Sequence, residues 1–393
     1  MRRLQDPRWF LIVMFLGIIA SVPLVQVMIE VREGNGIQAF EVFEQAPTAA
    51  NLRNYEHNME AANWLARVSR PWIQFVQFQW LRDGGEKVAI GRQGWHFFKP
   101  GVRYMLARPE MAKAANATND PIAAIVDFRD QLAARGIRLI VMPVPNKESI
   151  YPDRLTSRAE SLRGVTSPRT EDLLKKLRAA DVEVIDLFKA FGDAREEPGS
   201  SSGDALYLAQ DTHWSPAGVD LAAKAVARRL TELGWIQPGR VEYDERPSAA
   251  RRLGDIVRML QVPMVERRMN PENVACGQII RRDNGELYND AAEAEILVLG
   301  DSFSRIYQQD TPTGAGFIAH LAKDLKQPLI SLVNDGGGST LVREELRARP
   351  AFLQGRKVVL WEFVERDFGL GVKGWTLVDL GAPIAARPSH PAN

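Results

Sequence analysis

The sequence predicts an α/β protein in which a doubly wound parallel sheet follows an N-terminal membrane-anchor helix. Two observations predict the sheet: apolar runs of strand length recur along the chain, and amphipathic segments of helical length separate them. A third observation predicts the anchor, because residues 9–29 form one continuous apolar run. The 393 residues are 45% hydrophobic and 25% charged, as is ordinary for a globular protein with a large core.

The N-terminal run reads WFLIVMFLGIIASVPLVQVMI and contains one strongly polar residue, Gln26. At about 1.5 Å per residue, a helix of this length crosses a hydrocarbon core of about 30 Å. Arginines precede the run and mostly acidic residues follow it, so the positive-inside rule places the N-terminus in the cytoplasm. We expect residues 1–33 to be a cytoplasmic stub and an inner-membrane anchor, with the rest of the chain in the periplasm. A cleaved signal peptide and a buried core helix are the alternatives.

Residues 34–90 are predicted to be a helical membrane-proximal segment. Its aromatic residues, among them Trp64, Trp72 and Trp80, are interpreted as packing in a core or near the membrane rather than as a ligand site. The sequence GRQGWHFF (91–98) then predicts a glycine turn that enters a short aromatic strand.

The main domain is expected to span residues 91–380 and to alternate strands with helices. Ser215 followed by Pro216 is a typical helix start. The predicted strands are 137–144, 182–187, 295–300, 328–333 and 357–363, and the predicted helices are 121–136, 168–180, 216–234, 314–325 and 339–347. Ligands of such a sheet bind beyond the carboxyl ends of its strands.

A charged insertion, residues 240–292, interrupts this alternation. It has nine arginines between Arg240 and Arg282 against six acidic residues. A solvated surface loop of mixed charge is the favoured interpretation, and steering of an anionic polysaccharide by the excess of positive charge is the alternative. The tail, residues 381–393, is predicted to be disordered. The net charge of +1 gives no footprint of nucleic-acid binding, and the single cysteine, Cys276, excludes an intrachain disulfide.

Two short motifs carry the candidate chemistry: DTHW (211–214) and GDSF (300–303). The second lies where a buried strand is predicted to turn into a helix, which exposes Ser302 at the ligand edge of the sheet. A serine becomes a nucleophile when a neutral imidazole takes its proton and a carboxylate fixes the tautomer of that imidazole. Residues two apart in an extended segment point the same way, so Asp211 can align with His213.

Five histidines limit the choice of the base: His57, His96, His213, His320 and His390. By position in the chain, only His96 competes with His213. Each motif is weak by itself, since Asp211 capping a turn, or Asp-x-His forming half of a metal site, would give the same pattern. No Cys/His cluster resembles a zinc site, and we predict neither a metal nor a cofactor.

Taken together and in this order, the motifs resemble those of the SGNH-like O-acetyltransferases of the AlgJ and AlgX family, which modify exported polysaccharides such as alginate. In SGNH hydrolases the serine block usually comes first and a D-x-x-H block comes late, so the motif order here is permuted. The resemblance runs through GRQGWHFF, MPVPNKESIYP, DTHWSPAG, LGDIVRML, LVLGDSFS and VLWEFVERDF.

The resemblance implies an SGNH hydrolase-like fold with Ser302 as nucleophile, His213 as base and Asp211 as its orienting carboxylate. It also implies acetyl transfer to a polysaccharide hydroxyl through an acetyl-serine intermediate, with a membrane-bound O-acyltransferase as the partner that supplies the acetyl group. His96 stands where relatives more often have an aliphatic residue, and its role is open. A polysaccharide acetyl esterase and a non-catalytic sugar-binding subunit of an export complex are the alternatives.

Four further residues are candidates for binding the substrate or the oxyanion. Asn334 and Gly337 lie in NDGGGS (334–339), where glycines let backbone N–H groups approach a substrate oxygen; a flexible turn is the alternative, and the P-loop lysine is missing. Trp214 either stacks on a sugar ring or packs in the core. Arg366, at the end of the last strand, either binds the acceptor or forms a local ion pair.

Overall fold

A computed structural model describes residues 7–34, 36–107, 119–196, 205–370 and 373–382. It divides the chain into two compact units. The first is residues 1–82 with Gln261–Val265, and the second is residues 83–260 with 266–393. Each unit is described by itself below.

The described residues form sixteen helices and nine strands. The helices are α1 (Pro7–Glu33), α2 (Ala49–Ala62), α3 (Trp64–Val76), α4 (Lys99–Leu106), α5 (Pro121–Ala133), α6 (Lys147–Ile150), α7 (Pro152–Leu155), α8 (Pro168–Ala179), α9 (Leu187–Glu196), α10 (Pro216–Glu232), α11 (Asp255–Met259), α12 (Pro263–Glu266), α13 (Ser302–Arg305), α14 (Phe317–Leu325), α15 (Leu341–Ala348) and α16 (Asp367–Leu370). The strands are β1 (Val88–Ile90), β2 (His96–Phe98), β3 (Arg138–Val144), β4 (Glu183–Val184), β5 (Tyr243–Arg252), β6 (Glu272–Arg281), β7 (Ile296–Gly300), β8 (Ile330–Val333) and β9 (Val358–Val364).

The first unit contains α1, α2 and α3 with the turns around them, and Gln261–Val265 from the insertion, which includes most of α12. Helix α1 has 27 residues and is long and apolar enough to cross a membrane. Side chains start the next two helices: Thr48 accepts from Asn51 N at α2, and Asn63 accepts from Ala66 N at α3. The helical segment is shorter than predicted, because a single π-turn ends it at Leu81 and Val88–Ile90 form β1 instead.

The second unit is built on a five-stranded sheet of order β4-β3-β9-β7-β8, in which every neighbouring pair is parallel. All five predicted strands are present. The predicted strand 182–187 is shortened to Glu183–Val184, because α9 begins at Leu187. The five helices predicted for this domain begin and end within three residues of the expected positions.

The sheet is buried on both faces, as a doubly wound fold requires. Along β3, Ile140 and Met142 belong to one core, while Leu139 and Val141 belong to a second core on the other face. Helices α9, α10 and α14 contribute to the first core, and α5, α8 and α15 contribute to the second. Alternate residues of β7 and β9 divide between the two cores in the same way, which confirms the predicted fold class.

The insertion is a β-ribbon rather than a solvated loop. Strands β5 and β6 pair antiparallel over ten residues each, from Tyr243 opposite Arg281 to Arg252 opposite Glu272. The ribbon therefore has a defined end at Arg252. The predicted disordered tail lies outside the described residues, except for Gly381 and Ala382.

Candidate active site

Ser302 is placed by the turn that joins β7 to α13. The preceding Asp301 caps this turn, since its carboxylate accepts a hydrogen bond from Phe303 N at 2.8 Å. Gly300 is needed here, because a Cβ at this position would lie 2.3 Å from Ser304 Oγ and 2.8 Å from Glu362 Oε2. Asp301 and Phe303 are buried, whereas Ser302 is partly exposed at the carboxyl end of its strand.

The structure brings Ser302, His213 and Asp211 into one chain of hydrogen bonds. Ser302 Oγ lies 2.8 Å from His213 Nε2, and His213 Nδ1 lies 2.6 Å from Asp211 Oδ1. The backbone N–H of His213 also donates to Asp211 Oδ1 at 3.1 Å. This is the alignment expected for residues two apart, and a buried Asp211 fixes the ring so that Nε2 faces the serine.

The segment 211–214 is itself held on both sides. After it, Ser215 caps α10 by accepting from Gly218 N, as the sequence predicts. Before it, Tyr207 and Trp214 form an isolated antiparallel bridge. Beneath it, the buried ammonium of Lys147 donates to the backbone oxygens of His96, Ala209 and Asp211 at 2.6–3.0 Å. Burial is the main cause that lowers the pKa of Lys147 to about 8.

Sequence reasoning assigned no role to two further residues of the site, Arg252 and Asp255. Arg252, the last residue of β5, donates from Nε to Asp211 Oδ2 at 2.9 Å. Asp255 accepts from Thr212 N at 2.7 Å and from Thr212 Oγ1 at 2.5 Å, and its Oδ2 lies 3.6 Å from His213 Nδ1. The only sequence signal was the motif LGDIVRML, which contains Asp255. No local pattern predicts the contact of Arg252 with Asp211, because it depends on the residue at which the β-ribbon ends.

Charges around the histidine set the direction of two pKa shifts. Burial acts to raise the pKa of Asp211, but His213 and Arg252 outweigh it and hold this pKa well below its usual range. Burial acts to lower the pKa of His213, and the carboxylate of Asp211 outweighs it and raises this pKa. Asp211 therefore remains ionised and stabilises the imidazolium that forms when His213 takes a proton.

His96, the competing base, lies in a different position. It is buried in β2, its Nδ1 lies 2.9 Å from Gly94 O, and its backbone N–H donates to Ala209 O at 2.8 Å. Burial lowers the pKa of its ring. The histidine that contacts Ser302 is His213, and His96 belongs to the layer that supports the segment before Asp211.

Asp211, His213 and Asp255 are also a candidate metal cluster, because one ligand atom from each lies within 4.8 Å of the others. Their donors are already engaged. Asp211 bonds His213 through one oxygen and the Arg252 guanidinium through the other, and both oxygens of Asp255 accept from Thr212. The positively charged guanidinium of Arg252, next to Asp211, disfavours the binding of a cation here. The cluster therefore fits a charge-assisted hydrogen-bond network better than a metal centre.

A cavity of about 690 Å³ opens at Ser302 and His213. Most of the residues that line it are arginines or acidic residues from the ribbon end, from the turn after Ser302 and from the loop after β8. The charged residues are Arg251, Arg252, Asp255, Arg258, Arg305, Asp310 and Asp335, and Gly336 also lines the cavity. The guanidinium of Arg305 bonds Asp335 Oδ1 at 2.7 Å and also Asp310, so the loop after β8 is tied to the turn after Ser302.

The loop candidates lie differently from expectation. Asn334 Nδ2 donates to Glu345 Oε2 on α15 at 3.0 Å, and Gly337 is buried against the Asn334 side chain. Neither residue lines the cavity, whereas their neighbours Asp335 and Gly336 do. The assignment of the oxyanion to the Asn334 amide is therefore not supported, and Gly336, rather than Gly337, is the glycine of this loop that lines the cavity.

The other two candidates also act within the protein. Trp214 is fully buried, donates from Nε1 to Phe303 O at 3.1 Å and packs edge-on against that ring, so the stacking interpretation is wrong and the packing interpretation holds. The Arg366 guanidinium lies over the Phe98 ring at 5.1 Å. Its charge lowers the pKa values of Glu148 and Asp301, in opposition to the larger effect of burial. Binding of an acceptor by Arg366 stays a prediction.

The fold is a parallel α/β sheet that places a serine at the end of a strand, where its hydroxyl is hydrogen-bonded to a histidine that is in turn hydrogen-bonded to a carboxylate. The SGNH hydrolase-like domain of acetyltransferase AlgX matches residues 88–365, and the chain belongs to this family of acetyltransferase domains.

Curated relatives and a solved structure are similar over most of the chain. The probable alginate O-acetylase AlgJ of Pseudomonas putida is 24% identical over 351 residues, which are 84% of this chain and 83% of the relative. AlgJ of Pseudomonas aeruginosa is 23% identical over 74% of this chain and 73% of its own length. The solved O-acetyltransferase domain of P. putida AlgJ has a TM-score of 0.57 at 22% identity, covering 72% of this chain and 91% of that domain. At this identity the structural likeness establishes the fold.

Proposed function

We propose that this protein transfers acetyl groups to hydroxyls of an exported, alginate-type polysaccharide, with Ser302, His213 and Asp211 as its catalytic residues. The observation that carries the proposal is the pair of hydrogen bonds at 2.8 Å and 2.6 Å that joins Ser302 Oγ through His213 to Asp211. The named activity of the relatives, alginate O-acetylase, supplies the substrate class.

In the first half-reaction, Ser302 Oγ attacks the carbonyl carbon of an acetyl ester while His213 Nε2 takes the serine proton. The tetrahedral intermediate collapses, the bond to the donor oxygen breaks, and the imidazolium returns its proton to that oxygen. The products are the deacetylated donor and acetyl-Ser302. Asp211 stabilises the imidazolium throughout and does not itself take the proton.

In the second half-reaction, a sugar hydroxyl binds where the donor oxygen left and gives its proton to His213 Nε2. The sugar oxygen attacks the acetyl carbonyl, and the bond to Ser302 Oγ breaks as His213 protonates that oxygen. We assign the oxyanion of both intermediates to the backbone N–H of Ser302, with the backbone N–H of Gly336, which lines the same cavity, as a candidate second donor.

The charge of the cavity supports an anionic acceptor. Arg251 and Arg258 line it, and among the residues that the structure describes neither guanidinium has an assigned ion pair or hydrogen bond. Both come from the insertion at residues 240–292, whose excess of arginine was noted in the sequence. Free guanidinium groups recognise carboxylates such as those of uronic acids.

Helix α1 supports a membrane-proximal location, because it is long and apolar enough to span a bilayer. We propose that it inserts in the inner membrane with the N-terminus in the cytoplasm, so that the catalytic unit lies in the periplasm. Activated acetyl groups are made in the cytoplasm, so a periplasmic catalytic unit needs a protein that moves them across the membrane. We propose that a membrane-bound O-acyltransferase beside the anchor supplies them to Ser302.

The test is an incubation of the purified full chain with p-nitrophenyl acetate and an oligouronate, followed by mass spectrometry of both sugar and protein. We expect acetylated oligouronate and a transient acetyl group on the peptide that contains Ser302. Free acetate without acetylated sugar would overturn the transferase proposal in favour of an esterase. No turnover and no acetyl-serine, with bound sugar, would identify a sugar-binding subunit instead.

A further inference from the structure

Helix α3 and the π-turn that continues it carry an apolar face that the described residues of the first unit leave exposed. Its exposed side chains recur every three to four residues, as on one face of a helix. Trp72 and Trp80 are 60% and 77% exposed. The other exposed apolar side chains of this face are Leu65, Val68, Ile73, Val76 and Leu81. A helix of a soluble domain would turn such a face into its core, so this one is suited to a different medium.

The opposite side of α3 is basic and polar. Arg67, Arg70 and Gln74 share a face at helical spacing, and Arg70 lies 3.7 Å from Glu60 on α2. Apolar and aromatic side chains on one face with arginines on the other are the pattern of helices that lie in the membrane interface. Tryptophan is the side chain most typical of that depth, because its ring is apolar and its N–H is polar.

Two hydrogen bonds fix the depth at which α3 begins. Trp64 N donates to Gln26 Oε1 at 2.8 Å, and Trp64 Nε1 donates to Val22 O at 3.1 Å. Both acceptors belong to α1 and lie within the apolar run that ends at Ile29. Val22 is seven residues before that end, or about 10 Å along the helix. If α1 spans a bilayer, the start of α3 lies within the leaflet that α1 leaves.

The same contacts account for the one strongly polar residue of the anchor. Gln26 Oε1 accepts from Trp64 N, and Gln26 Nε2 donates to Glu30 Oε1 at 2.7 Å. Glu30 is buried in the first unit and also accepts from Gln38 N at 3.3 Å. Polar groups at membrane depth persist where neighbouring segments satisfy them. The C-terminal half of the anchor therefore receives the first residue of α3, Trp64, at Val22 and Gln26.

We propose that α3 and Gln77–Leu81 form a second membrane element, an interfacial helix whose apolar face is covered by the phospholipids of the leaflet that α1 leaves. The arginines on its other face lie at the level of the lipid phosphates. This inference rests on the proposed insertion of α1 and is independent of the proposed chemistry at Ser302. Two attachments to the bilayer, rather than one, then hold the first unit at the membrane surface.

The experiment measures depth with a fluorophore in the full chain. In a Cys276→Ser background, single cysteines replace Trp72 or Trp80 and are labelled with an environment-sensitive NBD group, and the proteins are reconstituted in phosphatidylcholine–phosphatidylglycerol vesicles. Phe15→Cys on α1 reports insertion of the anchor. Asp172→Cys, exposed on α8 of the second unit, is the control away from α3. Lipids with a doxyl quencher near the headgroup are compared with lipids that lack it.

We expect quenching at positions 72 and 80 to exceed that at position 172 at least threefold, with a blue-shifted emission. Quenching at position 15 without quenching at 72 and 80 would overturn the interfacial helix while leaving the anchor intact, and a protein partner or a second copy would then be the occupant. Absence of quenching at position 15 would overturn both the anchor and this inference. Acetyl transfer from a soluble donor, measured on the same samples, tests the chemistry at Ser302 separately.

Discussion

Two charged clusters lie at the same edge of the sheet, and the pKa of the buried Asp211 in one shifts in the opposite direction from the pKa values of the buried carboxyls in the other. In the first, Asp211 contacts both His213 and Arg252, and the pKa of its carboxyl falls well below the usual range. In the second, burial raises the pKa values of carboxyls near the ends of β3, β7 and β9, and the guanidinium of Arg366 opposes this rise in four of the five. Its members are Glu148, Asp301, Glu362, Glu365 and Asp367, called here the carboxyl cluster.

Burial by itself acts to raise the pKa of every carboxyl in both clusters. The net direction of the shift differs because Asp211 has two cationic partners, His213 and Arg252, whereas four carboxyls of the second cluster share Arg366. Neutral donors hold the carboxyl cluster: Glu362 Oε2 accepts from Asp301 N and Ser304 Oγ, and Glu365 accepts from Ser149 Oγ and Thr170 Oγ1. These contacts fix the turn that carries Ser302.

The largest expected effect comes from removing the proton path at Ser302. Ser302→Ala and His213→Gln should each lower the rate of acetyl transfer by about three to six orders of magnitude, because neither variant can form acetyl-serine with proton transfer to an imidazole. The measurement is initial rate of oligouronate acetylation. His320→Gln is the matched control, a buried histidine whose ring contacts Gly277 O, and it should keep its rate within about twofold. A Ser302→Ala variant as active as the parent would refute the catalytic assignment.

Replacing Arg252 makes the first cluster resemble the second, because it leaves Asp211 without a guanidinium. Arg252→Met should lower the rate at pH 7 by about ten- to a hundredfold, since Asp211 Oδ2 then keeps only the long hydrogen bond from Asp255 N at 3.4 Å and loses its charged partner. The positive charge of Arg252 acts to lower the pKa of His213, so its loss should raise that pKa further. His213 must be neutral to take the serine proton, and the acid limb of the kcat/KM profile should therefore move to higher pH.

The control for this variant is Arg246→Met, an exposed arginine on the same strand, which should leave the profile unchanged. Arg252→Lys should restore part of the rate, because it keeps the charge and loses the planar donor geometry. If the rate falls but the acid limb of the kcat/KM profile does not move, Arg252 stabilises the local structure and does not act through Asp211 on the pKa of His213.

The carboxyl cluster predicts how stability depends on pH. Burial raises the pKa of Asp367 to about 7 in the folded chain, above its unfolded value of about 4. Its contribution to the free energy of unfolding is complete below about pH 4 and is lost as the pH rises to about 7. Asp211 has the opposite sign, because its lowered pKa gives stability that is lost as the pH falls.

Asp367→Asn should therefore flatten the fall in stability between pH 5 and 7, by at most about 1.4 kcal/mol per pH unit. Urea unfolding of the full chain in detergent at a series of pH values measures it. Asp172→Asn, an exposed carboxylate on α8, should follow the parent at every pH. Equal slopes for Asp367→Asn and the parent would mean that Asp367 is ionised when buried.

The sequence was sufficient for the elements that local patterns determine and insufficient for contacts between distant segments. Apolar runs located all five strands of the sheet, and the short spacing between Asp211 and His213 predicted their alignment. The insertion was read as a loop, because its apolar residues alternate weakly and its charges are mixed. Arg252 reaches Asp211 only through the register of the ribbon. The direction of the Asn334 amide depends on Glu345 on the next helix, which no motif reports.

The smallest expected effect concerns the two arginines of the cavity that neither cluster uses. If Arg251 and Arg258 bind the carboxylates of the acceptor, Arg251→Gln and Arg258→Gln should each raise KM for an oligouronate about three- to tenfold at unchanged kcat, and raising the salt concentration should reduce the difference. With a neutral oligosaccharide of the same length the variants should match the parent. Arg246→Gln, on the same ribbon but outside the cavity lining, should change neither substrate. An equal rise in KM for charged and neutral acceptors would show that these arginines shape the cavity but do not recognise the carboxylates of the polymer.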